Sequence, residues 1–252
     1  MNQTGIRIVR EDGLSTITID RPEKANALTA GMMESLASAV AQAGDGDLIL
    51  LQAAPSKAFC AGADIGEFSG GAQHLAAQEH ALGELVRSMA LTPAPILVSA
   101  GGRASGAGAM LLCLADVVVA SPDLVLACPE IRFGMYPVVV DAVLQCKLTP
   151  AVSAQMCLSG RSLDARQACE AGIVTDVVAG PDPERSRNER LAFYLERRAA
   201  LRSARASRLL AQPPQGLLGR LGAVAPLLSK NFAAPGVRER ILDYMRALRR
   251  PD

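Results

Sequence analysis

The sequence contains no tryptophan, and phenylalanine and tyrosine bring the aromatic share to only 3%, which leaves little from which to build a base-stacking surface. Its two histidines, His74 and His80, lie six positions apart in one polar segment and read as solvent-facing. Six cysteines, Cys60, Cys113, Cys128, Cys146, Cys157 and Cys169, form no C-x-x-C pair. Such scatter in apolar surroundings argues against a zinc site and against a disulfide framework, and the cysteines read as small core residues. No apolar run approaches the ~18 to 20 residues of a membrane span. Met1-Asn2-Gln3-Thr4-Gly5 also lacks the basic-then-apolar order of a secretory signal. A soluble cytoplasmic protein with no metal and no membrane partner is expected.

What is present is a chain of 252 residues, half of them hydrophobic, long enough for one good core with an appendage. The net charge of +1 conceals an asymmetry. Residues 181–252 hold 15 Lys and Arg against 7 Asp and Glu, a net of +8, so residues 1–180 carry −7. An acidic body with a basic tail suggests an anionic partner, or simply a solvated Arg-rich helical surface.

Residues 6–10 and 15–20 are β-prone runs around Glu11-Asp12-Gly13 and predict an opening hairpin. Thr29 is placed to cap a helix reaching about Ala43, with Met32, Met33, Leu36 and Val40 at helical spacing. Apolar runs at 48–51 and 96–100 predict buried strands, and further short ones follow at 116–120, 125–127 and 174–178. Residues 66–80 carry little apolar periodicity, which makes them a candidate mobile pocket wall. From Asp182 the chain reads helical over 184–210, 215–228 and 237–248, broken at Pro213-Pro214 and Pro235-Gly236. Alternating strands and helices give an α/β chain, with residues 1–181 as a core that holds the active site and 182–252 as a smaller helical region.

Two small-residue runs carry the chemistry: Phe59-Cys60-Ala61-Gly62-Ala63-Asp64-Ile65 and Ala104-Ser105-Gly106-Ala107-Gly108-Ala109. Each lets a backbone N–H face a ligand where a strand gives way to a loop or helix. Glu130, in Cys128-Pro129-Glu130-Ile131-Arg132, is the carboxylate placed beside them to move a proton.

Taken in order, Asp20-Arg21-Pro22-Glu23-Lys24-Ala25-Asn26-Ala27-Leu28, the Lys57 to Asp64 run, Gly106-Ala107-Gly108 leading to Ala115-Asp116, and Pro129-Glu130 resemble the crotonase (enoyl-CoA hydratase/isomerase) superfamily. The match covers roughly residues 6–178. The resemblance implies a ββα spiral with a C-terminal helical region that packs against neighbouring subunits of a trimer or hexamer. It places catalysis on Glu130 and on an oxyanion hole formed by the amides of Ala61 and Ala107. Lys24, Ala25, Ala63, Asp64 and Ile65 should line the nucleotide or pantetheine groove. Met110, Phe133, Tyr136 and Val138 are candidates for the acyl pocket, or plain core residues. No separate cofactor is implied, because the substrate itself carries CoA or phosphopantetheine.

Family hydratases use two glutamates, and the position of the first falls here on Met110, so single-carboxylate chemistry is expected. Phe133-Gly134-Met135-Tyr136-Pro137 looks closest to the 3-hydroxy-3-methylglutaryl-carrier-protein dehydratases of polyketide β-branching. That makes the leading expectation a hydratase or dehydratase of a β-hydroxyacyl thioester on CoA or an acyl carrier protein, the carrier being acidic and the tail basic. The alternatives are a Δ3,Δ2-enoyl-CoA isomerase and a non-catalytic crotonase-like binding protein. Nucleic acid is not an expected partner. Asp141 is a second carboxylate near Glu130 in sequence, and no family role falls on it.

Overall fold

The computed structural model of the chain describes residues 5–67 and 72–248. It opens with the antiparallel hairpin β1 (Ile6–Glu11) and β2 (Leu14–Ile19), turned at Asp12-Gly13. Thr29 then caps α1 (Ala30–Ala41), its side chain accepting from the Met32 N–H. The predicted helical stripe is the buried face, since Met32, Met33, Leu36 and Val40 are all inside.

Three strand–strand–helix steps follow, and their strands alternate between two sheets. β3 (Leu48–Ala53), β5 (Ile96–Ala100) and β7 (Val117–Ala120) extend the hairpin into a six-stranded sheet that the short β10 (Asp176–Val177) completes, in the order β1-β2-β3-β5-β7-β10. All pairings after the hairpin are parallel. β4 (Ala58–Cys60), β6 (Arg103–Ser105) and β8 (Val125–Ala127) lie side by side and parallel in a second sheet, edged by the antiparallel β9 (Leu163–Asp164). Between the steps run α2 (Ala72–Leu91) and α3 (Ala107–Leu114). This is the spiral that the resemblance implied, and the main core fills the space between sheets and helices.

The structure departs from the sequence reading in several places. Residues 72–80 form the first turns of α2, and Gln78 is buried there; residues 68–71 lie outside the described residues. Periodicity also missed α4 (Val138–Leu144), α5 (Pro150–Ser159) and α6 (Ala165–Glu170). α4 begins as Val-Val-Val, a β-branched run with poor intrinsic helix preference, and only burial of Val138, Val139 and Val140 makes it helical. The helix expected over 184–210 is two, α7 (Pro183–Leu195) and α8 (Arg198–Ala211). Cys146 is exposed, whereas Cys60, Cys113, Cys128 and Cys157 are buried. Both histidines are exposed.

The helices within residues 183–248 pack onto the rest of the chain. Leu217 and Leu221 of α9 (Gln215–Phe232) belong to the main core. α10 (Val237–Leu248) packs on the 3-10 turn Pro129–Phe133, where Phe133, Met135, Val237 and Ile241 form their own cluster with Ile65 and Tyr244 beside them. Three arginines of α8 share one side of the helix. Arg198 donates to the Asp12 carbonyl, Arg202 to the Gly46 carbonyl, and the buried Arg205 to the carbonyls of Met89, Ala90 and Thr92. These three arginines therefore fasten α8 to the body of the chain. No helix among the described residues is long and apolar enough to cross a membrane.

Candidate active site

The site follows from the second sheet. β4, β6 and β8 are parallel neighbours in the registers Cys60 to Ala104 and Ser105 to Ala127, so their C-terminal ends emerge together, with adjacent strands about 4.8 Å apart. Ala61 stands one residue beyond β4, Ala107 two beyond β6, and Glu130 three beyond β8. Three sequence-distant groups thus meet at one edge.

Glycines make the approach possible. Gly62, at φ +104°, would set a Cβ 3.0 Å from the Ser105 carbonyl oxygen and 3.8 Å from the Ala107 nitrogen, so the two loops touch backbone to backbone. Gly106, at φ +51°, carries the chain into α3, with its N–H donated to the Ala127 carbonyl at 2.9 Å. A Cβ there would stand 2.5 Å from Glu130 Oε1. Gly108 packs directly on the Cys60 carbonyl, which seats α3 against β4.

Glu130 is partly exposed as a residue, yet its Oε2 is enclosed and has no hydrogen-bond partner among the described residues. Burial raises the carboxyl pKa to about 7 against a small opposing effect from its own backbone N–H. A carboxyl poised there gives and takes a proton near neutrality. The Ala107 N–H, at the first turn of α3, lacks an intrahelical partner, as helix N-termini do, and adds the partial positive charge of the helix end.

The second predicted donor is not free. Ala61 N–H donates to the Ala25 carbonyl at 3.1 Å. Ala25 and Asn26 both adopt left-handed backbone, at φ +51° and +56°. Asn26 holds that turn: its side-chain amide donates to the carbonyls of Ala54 and Ala58, and its oxygen accepts from the Arg21 N–H. Spacing gave no sign of this pairing, because it depends on a turn conformation rather than on residue type.

The groove residues fall beside it. Leu28 bridges Ala63, and Asp64 takes Arg21 Nη1 at 2.7 Å, tying the Lys24–Ala25 turn to the Ala61–Ile65 run. Lys24 is exposed. The acyl-pocket candidates divide. Met110 is fully buried in the main core, and Val138 is buried in it with 8% exposed. Phe133 faces α10, its ring 4.9 Å from that of Tyr244, and Ile65 joins the same cluster. Tyr136 donates its hydroxyl to Asp141 at 2.9 Å; Asp141 also accepts from Gln145 and Ser153, which gives this carboxylate a structural use.

An amide at a helix start can polarise a thioester carbonyl, and a neutral-range carboxyl beside it can exchange a proton at the α-carbon. The sequence profile of enoyl-CoA hydratase/isomerase matches residues 9–208. The chain belongs to that family. It is 33% identical over 192 residues to a probable enoyl-CoA hydratase of Rhodobacter capsulatus, covering 73% of this chain and 72% of the relative. It is also 34% identical over 131 residues to the probable enoyl-CoA hydratase echA6 of Mycobacterium tuberculosis, 52% of each chain. Its fold is similar to that of an enoyl-CoA hydratase/isomerase from Mycobacterium paratuberculosis, with a TM-score of 0.83 at 23% identity over 95% of this chain and 98% of the other. The protein is an enzyme of the crotonase superfamily, and within the enoyl-CoA hydratase/isomerase family it has Met110 fully buried three residues after the Ala107 amide.

Proposed function

We propose that the protein removes water from, or adds it to, a β-hydroxyacyl or enoyl thioester, with Glu130 as the only proton-transferring side chain. The observation that carries this reading is the Glu130 carboxyl, with Oε1 lying against Gly106, one residue before the Ala107 amide, and Oε2 enclosed without a hydrogen-bond partner among the described residues. In the dehydration direction ionised Glu130 takes the α-proton while the thioester oxygen gathers negative charge against the Ala107 N–H. The Ala61 N–H contributes by sharing its hydrogen between the Ala25 carbonyl and the substrate oxygen. Glu130, now protonated, returns the proton to the departing β-hydroxyl, and water leaves. One acid serving both steps matches a pKa near the working pH.

CoA or an acyl carrier protein delivers the acyl group along the Lys24–Ala25 turn and the Ala63–Ile65 run. The Phe133 to Pro137 motif favours a 3-hydroxy-3-methylglutaryl group on a carrier protein. Incubating the enzyme with that loaded carrier should give a product 18 Da lighter; no mass loss at any enzyme concentration counts against this substrate.

A second reading is supported by the burial of Met110. A Δ3,Δ2-enoyl-CoA isomerase needs only one carboxyl to carry a proton between two carbons. Supplying a 3-enoyl-CoA and following the absorbance of the conjugated product separates the two.

A further inference from the structure

α3 delivers the Ala107 amide from its first residue, so anything that fixes the far end of this eight-residue helix also aims the donor, about 12 Å away at ~1.5 Å per residue. The helix ends without a glycine cap: Ala115 leaves it in extended backbone at φ −76°, ψ 152°. Its last carbonyls would lack donors in a buried setting, which is costly. Lys147 meets that need, with Nζ donating to the Ala115 carbonyl at 2.7 Å and the Leu112 carbonyl at 3.4 Å. Burial lowers its pKa, and Cys113 and Asp116 oppose that while Arg208 adds to it. Asp116, the next residue, is pinned in turn: Oδ2 accepts from the Ile96 N–H at 2.8 Å, and Oδ1 takes Arg205 and Arg208 at 3.4 Å each.

Lys147 does not belong to this helix or to the sheets. It lies three residues beyond α4, and α4 follows the Glu130 turn, so its ammonium ties the arm that carries the carboxylate to the helix that carries the amide. α3 and α4 pack against each other between these two ends.

Resting on the oxyanion role proposed above for Ala107, we propose that Lys147 is a positioning residue. By gripping the C-terminal carbonyls of α3 it sets the distance between the Ala107 amide and the Glu130 carboxyl. A cation at a helix C-terminus also favours the helix, but the decisive effect is geometric. A shift of about 1 Å in a reacting group costs roughly a hundredfold in rate.

The test uses cinnamoyl-CoA, a chromophoric thioester whose absorption moves to the red when its carbonyl is polarised, with wild type, Lys147→Met and Lys147→Arg. Band shift, dissociation constant and melting temperature are read for each. Wild type should shift the band. Lys147→Met should bind within about threefold of wild type yet lose at least half of the shift, with a lower melting temperature, and Lys147→Arg should recover most of it. A full shift in Lys147→Met overturns the inference; should methionine prevent folding, Lys147→Gln is read instead, and a full shift there does the same. If wild type binds the ligand without any shift, the oxyanion reading itself fails.

Discussion

The carboxylate of Glu130 occupies the space that a side chain on Gly106 would need, with Oε1 2.5 Å from where that Cβ would stand. Gly106 also sits at φ +51°, a conformation that L side chains avoid. Gly106→Ala should therefore displace the carboxyl or the helix start. Turnover is expected to fall at least ~100-fold, and stability by about 1–3 kcal/mol. Steady-state kinetics beside a urea melt will show both.

Glu130 supplies a pH signature. Its ionised form is the base, so kcat/KM for α-proton removal should rise with pH through about 7. For stability the sign is opposite. Between the ordinary 4.5 and about 7 the folded carboxyl keeps a proton that the unfolded chain has lost. Stability should therefore fall as pH rises across that window, by up to about 3 kcal/mol. Glu130→Gln should flatten that fall in melts recorded from pH 4 to 8.

Arg205 joins α8 to the end of α2 and to Asp116, and only 7% of it is exposed. Removing it leaves three carbonyls without this donor and Asp116 with less compensation. Arg205→Met should cost about 2–4 kcal/mol in chemical denaturation. Arg185→Ala, which breaks an exposed pair with Glu189, should leave the denaturation midpoint essentially where it is in wild type.

Asn26 keeps two consecutive left-handed residues in place, and its side chain is fully buried. Asn26→Ala leaves the Ala54 and Ala58 carbonyls unserved. It should destabilise by about 2–3 kcal/mol and raise KM more than it lowers kcat, because the turn lies along the proposed thioester groove. Kinetics and a thermal melt check the two effects.

The parts of the candidate site could be read because each one is local. Each small-residue run sits at a strand end, and the alternation of strands between two sheets brings positions 61, 107 and 130 to one edge without further instruction. The opening hairpin, the Thr29 cap and the α1 stripe were legible for the same reason, since capping and periodicity act over a few residues. What escaped was decided by distant partners. The Val138 to Val140 run becomes helical through burial, and α7 and α8 separate at Glu196 and Arg197 with no proline or glycine to mark the break. The arginines at 198, 202 and 205 do recur at helical spacing, but only the docked helix shows that they donate to backbone carbonyls. The Ala61 to Ala25 hydrogen bond likewise needed the left-handed turn to be seen.

The central claim is that Glu130 exchanges a proton at the α-carbon of a thioester held by the Ala107 amide. Deuterium uptake tests it without knowledge of the natural acyl chain: 3-hydroxybutyryl-CoA and 3-hydroxy-3-methylglutaryl-CoA are incubated with enzyme in deuterated buffer, and Cα labelling is read by mass spectrometry. Wild type should label at least one of them, and Glu130→Gln should label neither above the uncatalysed rate. Equal labelling by wild type and Glu130→Gln would contradict the account.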